Sequence, residues 1–337
     1  MSVKRSGAKA LLLTLLIVSF GTAYSQENSF LRKMKFDGSL KTKYEYALET
    51  NMSRFSVRNS RLGLSGDMNS YVSYRVQIEL SNEGKFEVLD LSATLKPMKN
   101  LTVTMGQTSI PIYNSSQITP AQMMFANRTF LAKYFVPGTR DLGVLAAYNF
   151  SVSGVPVELD AGAFNASKSN NPVWTDNLSW SARAIIGSMD GFRASAKVYR
   201  YPGIDADFFL WGADMRYGKE RFKIEAEVLD REDQSTGDNL FSSCLQGGYS
   251  FPIKNGGMFK DITPALRWDL MGHKIAVNGI GVNRLTFGLS FGFTSKPFSS
   301  LLRIDFEKYF KKNILPEFTR YEEMDSDKIT VELQIIF

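Results

Sequence analysis

Fifty consecutive residues, from Leu91 to Arg140, contain no aspartate or glutamate. At the chain's average acidic content, a window of this length would hold about five acids. The window carries five basic residues, and Arg128, Lys133 and Arg140 lie in its second half. Cations beside a low-dielectric wall favour anions, and a planar guanidinium offers paired donors to carboxylate or phosphate oxygens. The residue types therefore predict anion recognition.

The segments that position these cations alternate between apolar and polar residues with a period of two. In VSYRVQIEL the apolar side chains run from Val72 to Leu80 at every second position, and the final stretch KITVELQIIF repeats the pattern. This alternation is typical of β-strands with one apolar and one wet face. Sixteen such stretches occur along the chain. In RFSVRNSRLGLSG the alternation changes phase near Asn59, which predicts a β-bulge.

The two faces of these strands favour a membrane barrel over a soluble β-sandwich or propeller. A sandwich rarely needs this many strands, and the chain lacks a repeated propeller blade signature. Charged side chains on the polar faces suit a water-filled lumen, while the apolar faces suit lipid. Aromatic residues near strand ends, Tyr199 and Tyr201 among them, are expected in interfacial girdles. The charged residues predicted to line the lumen include Arg75, Arg193, Lys197, Arg216 and Arg303.

The longest gap between strands spans residues 108–139, which we name the constriction loop. A segment of this length inside a compact barrel is usually functional, and AQMMFANRTFLAKYF predicts a short helix folded against the inner wall. We expect Arg128, Lys133 and the adjoining Arg140 to set anion selectivity. Two alternatives stay open: the loop faces solvent or anionic lipid, or Arg140 pairs with Asp141 or a wall carboxylate.

Residues 1–25 have the composition of a secretory signal peptide, with three basic residues, an apolar run and small residues before a cleavage site after Ser25. Residues 26–337 are then predicted to form a single barrel domain. Removing the signal reduces the formal charge of +6 by about half, which argues against a nucleic-acid partner. The single cysteine, Cys244, cannot form an intrachain disulfide and is expected to be inert on a strand.

Three stretches carry a family resemblance. RFSVRNSRLGLSGDMNSYVSYRVQIEL, FVPGTRDLGVLAAY and the last strand ending at Phe337 resemble the phosphate-selective porin O/P family of Gram-negative outer membranes, in its Bacteroidota branch. The resemblance covers most of residues 26–337, although only the first half carries recognisable motifs. It implies a sixteen-stranded pore, commonly trimeric, narrowed by an inward-folded loop. It also implies that the barrel-assembly machinery recognises the terminal aromatic Phe337.

The expected function is passive diffusion of small anionic or neutral hydrophilic solutes through an outer-membrane porin, with a mild anion preference that extends to phosphate. Lumen charges of mixed sign argue against tight phosphate specificity. No cofactor, metal or enzymatic activity is expected, and the partners are outer-membrane lipids and two further copies of the chain. A barrel that anchors a surface-binding or structural function is the alternative. A barrel hydrolase centred on the single histidine, His273, is a third reading.

Overall fold

The computed structural model describes residues 34–82, 84–114, 119, 122–203, 206–254, 257–312, 315–319 and 326–337. The predicted signal segment, residues 1–25, lies outside the described residues. Within the described ranges, no helix is both long enough and apolar enough to cross a membrane.

The described residues form eighteen β-strands in one antiparallel sheet and three short helices. The strands are β1 Lys35–Ala47, β2 Met52–Val57, β3 Ser60–Asp67, β4 Val72–Asn82, β5 Lys85–Met98, β6 Leu101–Ser109, β7 Arg140–Val152, β8 Val155–Phe164, β9 Ser179–Gly187, β10 Gly191–Pro202, β11 Asp207–Lys219, β12 Phe222–Asp233, β13 Asn239–Tyr249, β14 Phe251–Pro252, β15 Asp261–His273, β16 Val282–Gly292, β17 Leu301–Lys311 and β18 Lys328–Ile336. The helices are α1 Phe130–Tyr134, α2 Ile275–Asn278 and α3 Pro316–Thr319.

The sheet closes on itself, because β18 pairs with β1 from Ile336 opposite Ser39 to Lys328 opposite Ala47. β2 and β3 pair in succession with β1, and the two-residue β14 extends β13 along β15. The eighteen segments therefore make a wall of sixteen strands. The predicted sixteen-stranded antiparallel barrel, sealed by the final strand, is confirmed.

The two faces of each strand follow the predicted alternation. In β12, Lys223, Glu225 and Glu227 are buried inside the barrel, whereas Phe222 and Ile224 are 40% and 39% exposed on its outer surface. An apolar outer surface is stable in lipid, and closure pairs the first strand with the last, whose edges would otherwise be unpaired in lipid.

The predicted irregularity near Asn59 is a β-bulge. Asn59 has a φ of 55°, and it separates β2 from β3, whose register with β4 shifts between Ser60 and Arg61. In an uninterrupted strand, Arg58 and Arg61 would point to opposite faces, since they are three positions apart. The bulge brings both side chains to the same cavity inside the barrel.

The hairpin connections distinguish the two rims of the barrel. One rim carries tight turns such as residues 99–100, 153–154 and 220–221, and we name it the short-turn rim. The other carries the constriction loop and residues 165–178, and we name it the long-loop rim. In bacterial barrels, short turns face the periplasm and long loops face the exterior.

The constriction loop folds into the barrel, and its apolar side chains form a core there. Ile112, Phe130 and Leu131 are at most 1% exposed and pack in one cluster with side chains of the wall. Burying an apolar side chain of this size stabilises a fold by about 1.5–3 kcal/mol. The predicted short helix is α1, which is confined to five residues of the loop.

Two wall residues of that cluster correct a prediction. Tyr199 and Tyr201 were expected in an interfacial girdle, but they are 0% and 4% exposed inside the barrel. Tyr201 stacks on Phe208 with ring centroids 5.0 Å apart. The reason is that Tyr199 and Tyr201 continue the inward face of β10 into the region that the constriction loop covers, so an apolar core replaces lipid as their environment.

Candidate functional site

Basic side chains of the wall hold the constriction loop by donating hydrogen bonds to its backbone carbonyl oxygens. The five shortest of these bonds come from strands β12, β15, β16 and β17, on one side of the lumen. The pairs are Lys223 to Gln122 at 2.9 Å, Arg231 to Tyr134 at 3.1 Å, Arg267 to Asn127 at 2.7 Å, Arg284 to Arg128 at 2.8 Å and Arg303 to Met123 at 3.1 Å. The wall cations therefore supply the hydrogen-bond donors that the carbonyl oxygens of an isolated loop would lack.

Wall carboxylates hold the same loop by accepting hydrogen bonds from its backbone amides. Asp305 accepts from the amide of Ala126 at 2.7 Å, and Asp269 accepts from that of Phe130 at 3.1 Å. Wall donors and wall acceptors are thus interspersed along residues 122–134, which attaches this part of the loop to the wall.

This arrangement changes the role of several residues predicted to line the lumen. Lys197 and Arg303 point inward, but their side chains are 0% exposed. Lys197 pairs with Asp214 at 2.9 Å and also with Glu227, while Arg303 pairs with Glu332 at 3.0 Å. They lie in a buried ionic network and do not face open water.

The other three predicted lumen residues are also paired. Arg193 and Arg216 are 8% exposed and lie near Asp214 and Glu225 respectively. Arg75 is more open, and its Nη2 donates to Asp37 at 2.9 Å near the short-turn rim. Among these five residues, Arg75 is the one that lines a described cavity of the lumen.

Open space lies between the constriction loop and the opposite wall. A cavity of about 700 Å³, which we name the upper cavity, extends toward the long-loop rim. Its lining includes six basic residues and two acidic ones: Arg58, Arg61, Arg128, Lys133, Arg140 and Lys168, with Glu79 and Glu87. The lining therefore carries an excess of basic over acidic side chains.

A second cavity of about 260 Å³, which we name the lower cavity, lies toward the short-turn rim. Its charged lining residues are Arg61, Arg75, Arg140, Asp37 and Asp90. Arg61 and Arg140 belong to both cavities, so they mark the boundary between them.

Each boundary arginine is fixed by a carboxylate. Arg61 donates through Nε to Glu79 at 2.8 Å, and Arg140 donates through Nε to Asp90 at 2.9 Å. Arg140 also donates through Nη2 to the Gln77 side chain at 3.3 Å. The alternative that Arg140 pairs with a wall carboxylate is therefore realised, and the pairing partner is Asp90 and not Asp141.

Arg128 lies within the constriction loop, above this boundary. Burial, together with the neighbouring charges of Arg61, Arg58 and Arg140, lowers the pKa of Arg128 to about 9. Its Nη2 donates to the Asn59 side chain at 3.3 Å. A pKa near 9 keeps the guanidinium charged at neutral pH, so four arginines hold like charges in one region.

Lys133 lies on α1 with its ammonium 5.5 Å from the centre of the Tyr134 ring. The structure thus brings all three predicted residues, Arg128, Lys133 and Arg140, to the upper cavity. Their role in selectivity stays a prediction. Sequence reasoning did not single out Arg58, Arg61 or Lys168, although the phase change near Asn59 was the available signal for the first two.

His273 lies at the long-loop rim between two carboxylates. Its Nδ1 contacts Asp238, and its Nε2 is 3.0 Å from Glu317 of α3. Burial raises the pKa of Glu317, but the hydrogen bond from His273 and its charge outweigh burial and leave this pKa below its ordinary value. The contacts connect the loop before β13, the end of β15 and the loop before β18.

A closed sixteen-stranded barrel with a charged, loop-narrowed lumen defines an outer-membrane porin. The model of the family described as phosphate-selective porin O and P matches residues 35–220, more than half of the chain. The chain therefore belongs to that family, as the sequence motifs indicated. No curated protein sequence matches it.

Solved porin structures share this barrel at low sequence identity. OmpF of Salmonella typhi in complex with daunomycin has a TM-score of 0.62 and 12% identity, with 90% of this chain and 97% of that chain covered. The trimer form of OmpT of Vibrio cholerae has a TM-score of 0.59 and 11% identity, covering 90% and 99%. The outer-membrane channel DcaP of Acinetobacter baumannii has a TM-score of 0.59 and 12% identity, covering 90% and 97%. At these identities the likeness concerns the fold.

Proposed function

We propose that this porin passes small hydrophilic solutes by diffusion with a preference for anions, phosphate among them. The observation that carries the proposal is the lining of the upper cavity, in which six basic residues stand against two acidic ones. Two of these cations, Arg61 and Arg140, also line the lower cavity, so a solute that moves from one cavity to the other passes both.

The preference is mild and not a specificity for one anion. The lower cavity carries three basic and two acidic residues, and each boundary arginine has one side engaged by a carboxylate. Such pairing leaves a positive potential in the cavity, but part of each guanidinium is bonded to the wall and does not bind solute. Neutral solutes are expected to pass as well.

The protein acts as a channel without catalysis in this proposal. Both ring nitrogens of His273 are engaged by carboxylates, which supports a role in connecting loops. Export through a signal peptide at residues 1–25, recognition of Phe337 by the assembly machinery, and a homotrimer belong to the same proposal. The trimer form of OmpT supports the last of these.

The test is the reversal potential of single channels in planar bilayers under a potassium chloride gradient. We expect a potential of the sign that anion selectivity produces. A reversal potential of zero or of cationic sign would overturn the anion preference. Electrophoresis of the unheated protein tests the trimer, since a band at monomer size alone would contradict it.

A further inference from the structure

β6 loses its β5 partner just before the constriction loop, although it stays paired with β7 as far as Ser109 opposite Arg140. β6 pairs with β5 only as far as Gln107 opposite Leu91. Beyond that point the Gln107 side chain takes over, because its Nε2 donates to the carbonyl oxygens of Val88 at 2.6 Å and Leu89 at 2.9 Å. Gln107 is 3% exposed. One side chain thus donates to two carbonyl oxygens of β5 that have no backbone partner on β6.

The loop between β8 and β9, residues 165–178, completes this junction. The backbone amide of Asn170 donates to Gln107 Oε1 at 2.7 Å, and its Nδ2 donates to the Val88 carbonyl at 2.9 Å. Gln107 Nε2 also lies 3.4 Å from Asn170 Oδ1. Asn170 therefore bridges β6 and β5 at the point where these two strands stop pairing with each other.

The same loop holds the other end of the constriction loop. Asp141 accepts from the amide and the hydroxyl of Ser167, both at 3.1 Å. The amide of Asn165 donates to the Leu142 carbonyl at 2.9 Å. Asp141 is 0% exposed. Gln107 precedes the constriction loop by one residue and Asp141 follows it by two, so both ends are bonded to one short segment, residues 165–170.

We propose that the β8–β9 loop is a second positioning element of the pore: by bonding Gln107 and Asp141 it holds the two ends of the constriction loop and so sets the width of the upper cavity. It also presents Lys168 as a selectivity residue. Lys168 lies between the two contacts and lines both the upper cavity and a third cavity of about 580 Å³ at the long-loop rim. The role of Lys168 rests on the proposed anion preference, whereas the positioning role does not.

The positioning role is tested with Asn170→Ala, which removes the side-chain contacts and keeps the backbone one. Each neutral hydrogen bond lost raises the population of a displaced loop about two- to tenfold. We expect more frequent subconductance steps and a larger size cut-off for neutral polymers, with the heat-dependent gel mobility of a folded barrel unchanged. Asn171→Ala, the same truncation at the next and exposed residue, is the matched control.

Unchanged steps and cut-off in a folded Asn170→Ala barrel would overturn the positioning role. If that variant does not fold, Ser167→Ala carries the same expectation, because it removes only the hydroxyl contact to Asp141. Normal steps and cut-off in Ser167→Ala would then count against the proposal.

The selectivity role is tested with Lys168→Cys. Cys244 is 2% exposed, so charged methanethiosulfonate reagents are directed to the new thiol. We expect a reduced anion-to-cation permeability ratio that an aminoethyl reagent restores and a sulfonatoethyl reagent lowers further.

No response to either reagent, in a channel that remains anion-selective, would remove Lys168 from the selectivity path while leaving the proposed function intact. A wild-type channel without anion selectivity would instead contradict the proposed function, and the polymer cut-off of Asn170→Ala would still decide the positioning role.

Discussion

Arg61 and Arg140 line both the upper and the lower cavity, and each is held through Nε by a different wall carboxylate. The two guanidinium groups approach the boundary from different strands, β3 and β7. Because Glu79 and Asp90 fix their positions, the positive charge there is preorganised; under the proposed anion preference, an anion would meet it without rearrangement.

The first prediction concerns the charge at this boundary. Arg140→Gln removes one of the two shared cations and leaves Asp90 with an uncompensated charge. We expect the anion-to-cation permeability ratio to fall about fivefold, since a unit charge at contact distance in water is worth about 1 kcal/mol. Reversal potentials in planar bilayers measure the ratio.

A double variant separates the loss of the Arg140 charge from the exposure of the Asp90 charge. Arg140→Gln with Asp90→Asn keeps the net charge of the wild type, so we expect the ratio to recover most of its value. Lys274→Gln serves as the control, because this lysine is at the long-loop rim, outside the lining of both cavities. Equal ratios in Arg140→Gln and Lys274→Gln would contradict the boundary role.

The second prediction concerns the attachment of the constriction loop. Arg267 donates to the Asn127 carbonyl at 2.7 Å and to Glu307 at 3.1 Å, and its guanidinium is 4.7 Å from the centre of the Phe125 ring. Removing one partner of a buried pair costs about 3–5 kcal/mol. We expect Arg267→Met to lower the free energy of unfolding by this order and to raise single-channel conductance, because the loop is less firmly held.

Urea unfolding followed by gel mobility gives the first quantity, and bilayer recordings give the second. Lys260→Met, on an exposed turn, is the control, and both of its values should match the wild type. A destabilised Arg267→Met barrel with unchanged conductance would show that this bond supports the wall and not the loop.

Much of the fold follows from the sequence because the period-2 pattern depends only on the two environments of a strand. Lipid outside and water or polar groups inside select the residue at each position of β12 and β18 without reference to distant residues. The bulge at Asn59 is visible for the same reason, since it changes the phase of the alternation.

The site is less predictable because it depends on contacts between distant segments. The sequence indicates that Lys197 and Arg303 face inward, but only the docked constriction loop determines that they are buried. Arg61 faces inward by alternation too, yet it borders open space because the loop packs against the opposite wall. Lys168 joins the upper cavity through a loop contact, for which a period-2 pattern carries no information.

The third prediction concerns pH and the contact between Glu317 and His273. The lowered pKa of Glu317 means that its carboxylate contributes fully to the contact above about pH 4.5, the ordinary value for glutamate, and loses this effect as pH falls through the folded-state pKa. An imidazole ordinarily has a pKa of about 6.5, so the comparison is made below that value, where His273 also carries its charge. We expect hydrogen exchange of residues 316–319 to accelerate at pH 3 relative to pH 6, after correction for the intrinsic rate.

Glu317→Gln provides the comparison for this effect. At pH 6 the variant should exchange as rapidly as the acidified wild type, and its corrected rates should change little between pH 6 and pH 3. If the wild type and the variant respond to pH in the same way, the contact with His273 does not hold the loop.

The fourth prediction concerns the seam of the barrel, where Phe337 and Gly38 exchange two backbone hydrogen bonds, at 2.8 and 3.1 Å. The Phe337 ring lies over Gly38 so closely that a Cβ there would overlap it, and the Arg61 carbonyl would be only 3.0 Å away. We therefore expect Gly38→Val to lower the free energy of unfolding by about 1–3 kcal/mol, measured by urea titration. Gly257→Val is the control, because no atom lies within 4 Å of its added Cβ.

In the double variant Gly38→Val with Phe337→Ala the overlap is absent, so its loss of stability should be smaller than the sum of the two single losses. Additive losses would mean that the ring does not rest on the glycine and that the seam is held by its backbone bonds alone.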